Sequence, residues 1–146
     1  MLRGNSPAKV DDKGRIKIPT LFRRFIEEQF GRDCFVTSTT GESVRVYPMP
    51  VWIGVEKKVA GLPTMHPTVT RFMNLVNYYG QTAAFDDQGR LLIHPLLRDK
   101  AAIAGEVAVL GKQNCLDIWN LEKFATQLQS NPLTEEDHQI LASLGL

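Results

Sequence analysis

"VDDKGRIKIP" at Val10–Pro19 and "FDDQGRLLIHP" at Phe85–Pro95 spell nearly the same segment twice in a chain of 146 residues. At an offset of 75, Asp11, Asp12, Gly14 and Arg15 fall on Asp86, Asp87, Gly89 and Arg90. Ile16 and Ile18 fall on Leu91 and Ile93, and Arg23 falls on Arg98. Pro19 meets Pro95 with a slip of one position. Further on, at an offset of 72, "VRVYPMPVW" (Val44–Trp52) falls on "LDIWNLEKF" (Leu116–Phe124). That match pairs Tyr47 with Trp119 and Trp52 with Phe124. Two matches in the same order with a small drift in offset mark a duplicated unit.

Each unit has a readable local structure. Asp-Asp-Lys-Gly is turn chemistry: the carboxylates bond nearby backbone amides and glycine takes the positive-φ position. Ile16 and Ile18 then alternate with Arg15 and Lys17, the period of a half-buried strand. Pro19 suits a first helical position, and "TLFRRFIEEQF" places Leu21, Phe22, Phe25 and Ile26 at helical spacing before Gly31 stops it. "CFVTST" and "SVRVYP" read as strands, and "VWIGVEKKVAGL" as a helix ending near Gly61. The second unit repeats the order with "PLLRDKAAI", "EVAVLG", "CLDIW" and "LEKFATQLQ". Between the units the chain breaks at Pro63 and Pro67, then reads helical from about Thr68 to Tyr79. The tail "TEEDHQILASL" reads as a helix with an acidic start.

A unit of this size has too little core to fold alone. Two copies that interleave their strands into one barrel resolve the difficulty. The expected organisation is repeat 1 over 5–52, linking helices over 53–80, repeat 2 over 81–124 and a helical tail over 125–146, all one structural unit. No apolar run approaches the roughly 20 residues of a membrane helix, and the N-terminus "MLRGNSPAK" does not read as a signal peptide. Cys34 and Cys115 sit in strand-like apolar contexts and read as buried thiols, placing the chain in the cytoplasm.

The net charge is only +1, but its distribution is uneven. Residues 1–24 carry Arg3, Lys9, Lys13, Arg15, Lys17, Arg23 and Arg24 against Asp11 and Asp12. Residues 121–146 carry Lys123 against Glu122, Glu135, Glu136 and Asp137. The two hairpins differ in the same sense. Lys9, Lys13 and Lys17 of the first are replaced by Ala84, Gln88 and Leu92 in the second. A purely structural need would act on both copies alike, so the extra cations point to a polyanion. A two-stranded ribbon tipped with Lys and Arg fits a DNA major groove. Lys9, Lys13 and Lys17 would meet phosphates, while Arg15 offers its fork to guanine. The other reading leaves the lysines as solvated surface and pairs Arg15 with Asp11 or Asp12. Arg90, Arg23 and Arg98, with Pro19 and Pro95, read as scaffold.

"DDKGRIKIPTLFR" and "DDQGRLLIHPLLR" resemble the paired signatures of the MraZ transcriptional regulators, in the AbrB-like superfamily of swapped-hairpin barrels. The resemblance continues through "VYPMPVW", "RFMNLVNYYGQTAAFDDQGR" and "GKQNCLDIWN", over nearly the whole chain. It implies an α+β fold: a duplicated AbrB-like swapped-hairpin (double-psi-like) β-barrel with peripheral helices. It also implies a cytoplasmic, nucleoid-associated protein that assembles as a ring-shaped homo-oligomer. Such proteins bind direct repeats in double-stranded DNA upstream of their own operon, the division and cell-wall gene cluster, and regulate it. On that resemblance Arg15 is the leading DNA-contacting residue and Lys13 lies in the same turn, with Lys17, Lys9 and Arg3 in support. In a ring, Leu92 on the outer face of the second hairpin would be partly covered by a neighbour. His94, just before Pro95, is assigned no role.

Two other classes compete with this reading. An enzyme would need a constellation that His66, His94, His138, the aspartate pairs and the cysteines do not form by spacing; no catalytic residue, cofactor or metal is expected. An antitoxin-type module that captures a protein partner could use Phe72, Tyr78 and Tyr79, but would not need the basic turn.

Overall fold

Ile16 and Ile18 are completely buried, so the alternation that suggested a strand has the isoleucines inward. A computed structural model describes residues 1–63 and 66–146. The first repeat runs β1 (Asn5–Lys9), β2 (Arg15–Lys17), α1 (Thr20–Phe30), β3 (Asp33–Thr37), β4 (Val44–Pro48) and α2 (Met49–Ala60). After α3 (Pro67–Tyr78) the second runs β5 (Gln81–Ala84), β6 (Arg90–Leu92), α4 (Pro95–Ala101), β7 (Glu106–Lys112), β8 (Cys115–Asn120) and α5 (Leu121–Ser130). The tail ends in α6 (Glu135–Ser143), whose start is closed by a capping box between Thr134 and Asp137. Part of the break expected between Pro63 and Pro67, namely Thr64 and Met65, lies outside the described residues. Pro19 is the N-cap of α1, not its first residue, whereas Pro95 does open α4. The one-position slip between the copies separates these two uses.

Six antiparallel strands form one sheet in the order β1-β7-β8-β4-β3-β5, and β2 pairs with β6 in a separate ribbon. Exchanging each strand for its counterpart in the other repeat reads the six-strand order backwards, so an approximate two-fold axis relates the repeats. On that axis residues meet their own counterparts: Ile16 faces Leu91 in β2–β6, and Arg45 faces Asp117 in β4–β8. The first strand of each repeat pairs with the third of the other, β1 with β7 and β5 with β3.

Two expectations need correction. The sheet is not closed into a barrel: β1 and β5 are its edges, and β2–β6 has only three register pairs. Asp11 and Asp86 hold the turns after β1 and β5, and β2 and β6 take each other as partners across the repeats. The expected two-stranded basic ribbon of β1 and β2 is also absent. Between them the described contacts are a bridge from Val10 to Ile16 and the Asp11 N–H donating to the Arg15 carbonyl. The ribbon that exists joins the two repeats.

Ile16, Ile18, Leu91, Ile93, Val44, Val46, Leu116 and Ile118 form the main core, closed by Phe22 and Ile26 of α1 and Leu97 of α4. A second cluster under α2 and α3 holds Phe35, Trp52 and Val76, with Phe35 stacked on Trp52 at 4.6 Å. The aromatic match between repeats is physical: Tyr47–Trp52 and Trp119–Phe124 both have centroids 5.0 Å apart. Of the three aromatics on the linking helix, Phe72 and Tyr79 pack inward and Tyr78 is exposed.

Candidate nucleic-acid interface

Asp11 organises the first turn. Its Oδ1 accepts the Lys13 and Arg15 amides at 3.0 and 2.8 Å, and Oδ2 accepts Arg15 Nε at 2.7 Å. The backbone N–H of Arg15, with the Arg15 guanidinium, holds the Asp11 carboxyl below the usual carboxylate range. Asp86 repeats this set with Gln88 and Arg90 at 2.9, 2.9 and 2.8 Å. Arg15 does pair with Asp11, then, but through Nε. Among the described residues nothing else accepts from it, which leaves the outer edge of the fork available. A fork clamped from behind is oriented before any ligand arrives.

Each turn is braced from the opposite repeat. Gly14 sits at φ +82° with the Arg98 guanidinium against it, and Gly89 sits at +76° against that of Arg23. The Ile18 amide donates to the Gly89 carbonyl at 3.0 Å, and the Ile93 amide to that of Gly14 at 2.9 Å. The scaffold reading of Arg23 and Arg98 therefore has a concrete basis, one that crosses between repeats. Gly14→Ala would place Cβ 2.5 Å from the Arg98 guanidinium carbon, on left-handed backbone. It is expected to cost about 1–2 kcal/mol, read as a lower unfolding midpoint, with Gly89→Ala close behind. A change within measurement error would remove the brace.

The candidate cations divide into groups. Lys13 is exposed at the tip of the turn. Lys17 is exposed on the β2–β6 ribbon directly opposite Arg90, while Arg15 faces Leu92, which is 52% exposed. The outer faces of the two copies thus share one ribbon and are not two separate hairpin surfaces. Lys9 ends β1 opposite Glu106, and with Lys17 it lines a shallow cleft of about 370 Å³. Arg3 is not part of this cluster. It lies beyond the far end of β1, roughly 20 Å of extended chain from Lys9, beside Leu21, Phe22 and Phe25.

Some residues that set the local charge carried no motif. Glu27 lies 3.7 Å from Arg23 and 3.6 Å from Arg32, and Arg32 reaches Asp87 at 3.1 Å. These contacts compensate the second turn. Near the axis, Asp117 accepts from Ser43 at 2.7 Å and Trp119 Nε1 at 2.9 Å, with Arg45 Nε at 3.3 Å. His94 contacts the Tyr79 carbonyl through Nε2 at 2.7 Å. Cys34 and Cys115 are buried and free, and burial pushes the Cys34 thiol up to about 12. Among the described residues no group of three metal-ligating side chains assembles, and no helix is long and apolar enough to cross a membrane.

Comparison with known proteins identifies the chain's relatives. A family model described as "MraZ protein, putative antitoxin-like" matches residues 1–75 and 80–142. Over the full length of both chains, this one is 45% identical to the transcriptional regulator MraZ of Acidobacterium capsulatum. It is 46% identical to that of Koribacter versatilis, again over the full length of both. The transcriptional regulator MraZ of Chromobacterium violaceum is 35% identical over 127 residues, 87% of this chain and 86% of its own. With the signature turns in both repeats and a match over nearly every residue, the chain belongs to the MraZ family.

Proposed function

We propose that this protein is a transcription regulator that binds double-stranded DNA through the first turn and the ribbon beside it. The observation that carries the reading is a charge difference between two turns of otherwise matching geometry. Asp11 and Asp86 make the same bonds, yet Lys13 and Lys17 face solvent where the other repeat has Gln88 and Leu92. Lys13 and Lys17 supply phosphate contacts, and Arg15, held by Asp11, supplies the fork that reads guanine. Lys9 contributes less because Glu106 lies opposite, and Arg3 could reach only a separate stretch of backbone.

The resemblance to the family carries the finer parts of the proposal. The fold is a duplicated AbrB-like unit, with repeats over 5–52 and 81–124 joined by 53–80 and followed by 125–146. The DNA comprises direct repeats upstream of the protein's own operon, the division and cell-wall gene cluster. The assembly is a cytoplasmic, nucleoid-associated ring of identical subunits. A ring would link several weak turn–DNA contacts, and linkage raises avidity steeply when the spacing matches.

A fluorescent duplex from the DNA upstream of the gene tests this, titrated across a salt series beside random DNA. Wild type is expected to favour the upstream duplex, with log K falling steeply against log[salt]. Lys13→Gln with Lys17→Gln removes two contacts. It should flatten the slope by about 1.8, which is about 30-fold in affinity at roughly 0.15 M salt. Equal binding of both duplexes by wild type, or an unchanged slope in the variant, would overturn the reading.

A further inference from the structure

Arg23 and Arg98 occupy equivalent places, each against the glycine of the other repeat's turn. Their surroundings are not equivalent. Arg23 has Glu27 one helical turn on, and Arg32 bridges that carboxylate to Asp87. Around Arg98 the matching positions are Ala102 and Gly105. Its Nε is buried without a hydrogen-bond partner. Among the described residues it forms no ion pair. Asp11, which organises the turn that Arg98 braces, is already bonded to Arg15. A partly buried guanidinium without a counter-charge is unfavourable in the free protein and becomes favourable when an anion arrives.

We infer that Arg98 is a phosphate-binding residue, lent by the second repeat to the turn of the first. The inference rests on the DNA-binding reading of that turn and adds a residue that the signature does not single out for contact. Arg98 lies against Gly14, the residue between Lys13 and Arg15, so a phosphate drawn to Lys13 would approach the terminal nitrogens of a guanidinium whose Nε is buried. Gly14 then has a second use, because any side chain there would cover the guanidinium. At the second turn the equivalent brace, Arg23, is neutralised by Glu27. The two turns thus differ in the charge beneath them as well as in the lysines on top.

The test uses the full chain and the upstream duplex over a salt series, with wild type, Arg98→Gln, Arg98→Lys and Arg23→Gln. Thermal unfolding and solution mass are followed in parallel. Both glutamine variants lose a brace, but Arg98→Gln should lose less stability, because it also removes an unpaired charge while Arg23→Gln takes a partner from Glu27. Only Arg98→Gln should flatten the salt slope, by about 0.9, or roughly fivefold in affinity at about 0.15 M salt. Arg98→Lys should keep the slope. Equal slopes for the two glutamine variants would make Arg98 a brace alone and overturn the inference. So would a change in solution mass in place of a slope change, which would identify the missing anion as an acid of a second copy. Should Arg98→Gln fail to fold, Ala102→Glu places a carboxylate four residues after Arg98, at the exposed C-cap of α4, with Ala102→Gln as its neutral control. The glutamate variant alone should then bind weakly, and equal binding by the two would overturn the inference. Failure of the underlying reading looks different: wild type itself would show no preference for the duplex.

Discussion

Asp117→Ala is expected to destabilise the protein by about 3–5 kcal/mol, the largest stability loss predicted for a single polar side chain. Asp117 is 3% exposed, accepts hydrogen bonds from the Ser43 hydroxyl and the Trp119 indole N–H, and carries the counter-charge for Arg45 at 3.3 Å. Alanine leaves the Ser43 and Trp119 donors unmatched and Arg45 without its counter-charge. Leaving buried donors unmatched is what makes a broken buried pair expensive, more than the worth of the pair itself. Asp117→Asn, which still accepts from Ser43, should recover part of the loss. Arg45→Met combined with Asp117→Leu should cost much less than either charge removed alone. Denaturant unfolding decides it: an alanine variant within about 1 kcal/mol of wild type would show the network to be ornamental.

Arg15→Ala is expected to weaken binding of the upstream duplex by more than about 100-fold. A lost bidentate base contact accounts for roughly 1–3 kcal/mol. The remainder comes from Lys13, whose place in the turn depends on the carboxylate that Arg15 helps to hold. Arg90→Ala is the matched comparison, because it removes the same clamp from Asp86. It should lower stability about equally and weaken DNA binding only a few-fold, since its turn carries Gln88 and a compensated Arg23. Equal losses in affinity would mean that the β2–β6 ribbon binds as a symmetric whole.

Much of this was legible in the sequence because it is local. The Asp-Asp-x-Gly turns, the inward Ile16 and Ile18 and the aromatic pairs follow from turn chemistry and side-chain periodicity. Strand partners do not. Alternation at Ile16 and Ile18 fixes which face is buried, but not that β2 lies against β6 and β1 against β7. A hairpin of β1 and β2 was the natural guess from adjacency. Long-range placement of charges was equally silent. Nothing near Lys9 announces Glu106, and nothing near Gly14 announces Arg98. The Arg45–Asp117 pair was hidden by the comparison that revealed the repeat, where an arginine over an aspartate counts as a mismatch.

That mismatch bears on how the molecule can be divided. Arg45 and Asp117 stand at the same place in the two repeats and face each other. Were either half to associate with a twin of itself, two arginines or two aspartates would meet there with no opposite charge between them. Each half is thus coded to reject itself and accept its sibling, a lock-and-key relation that a symmetric homodimer cannot encode. Covalent fusion keeps the siblings together at equal dose. Under that protection one turn is free to gather cations while the other stays neutral.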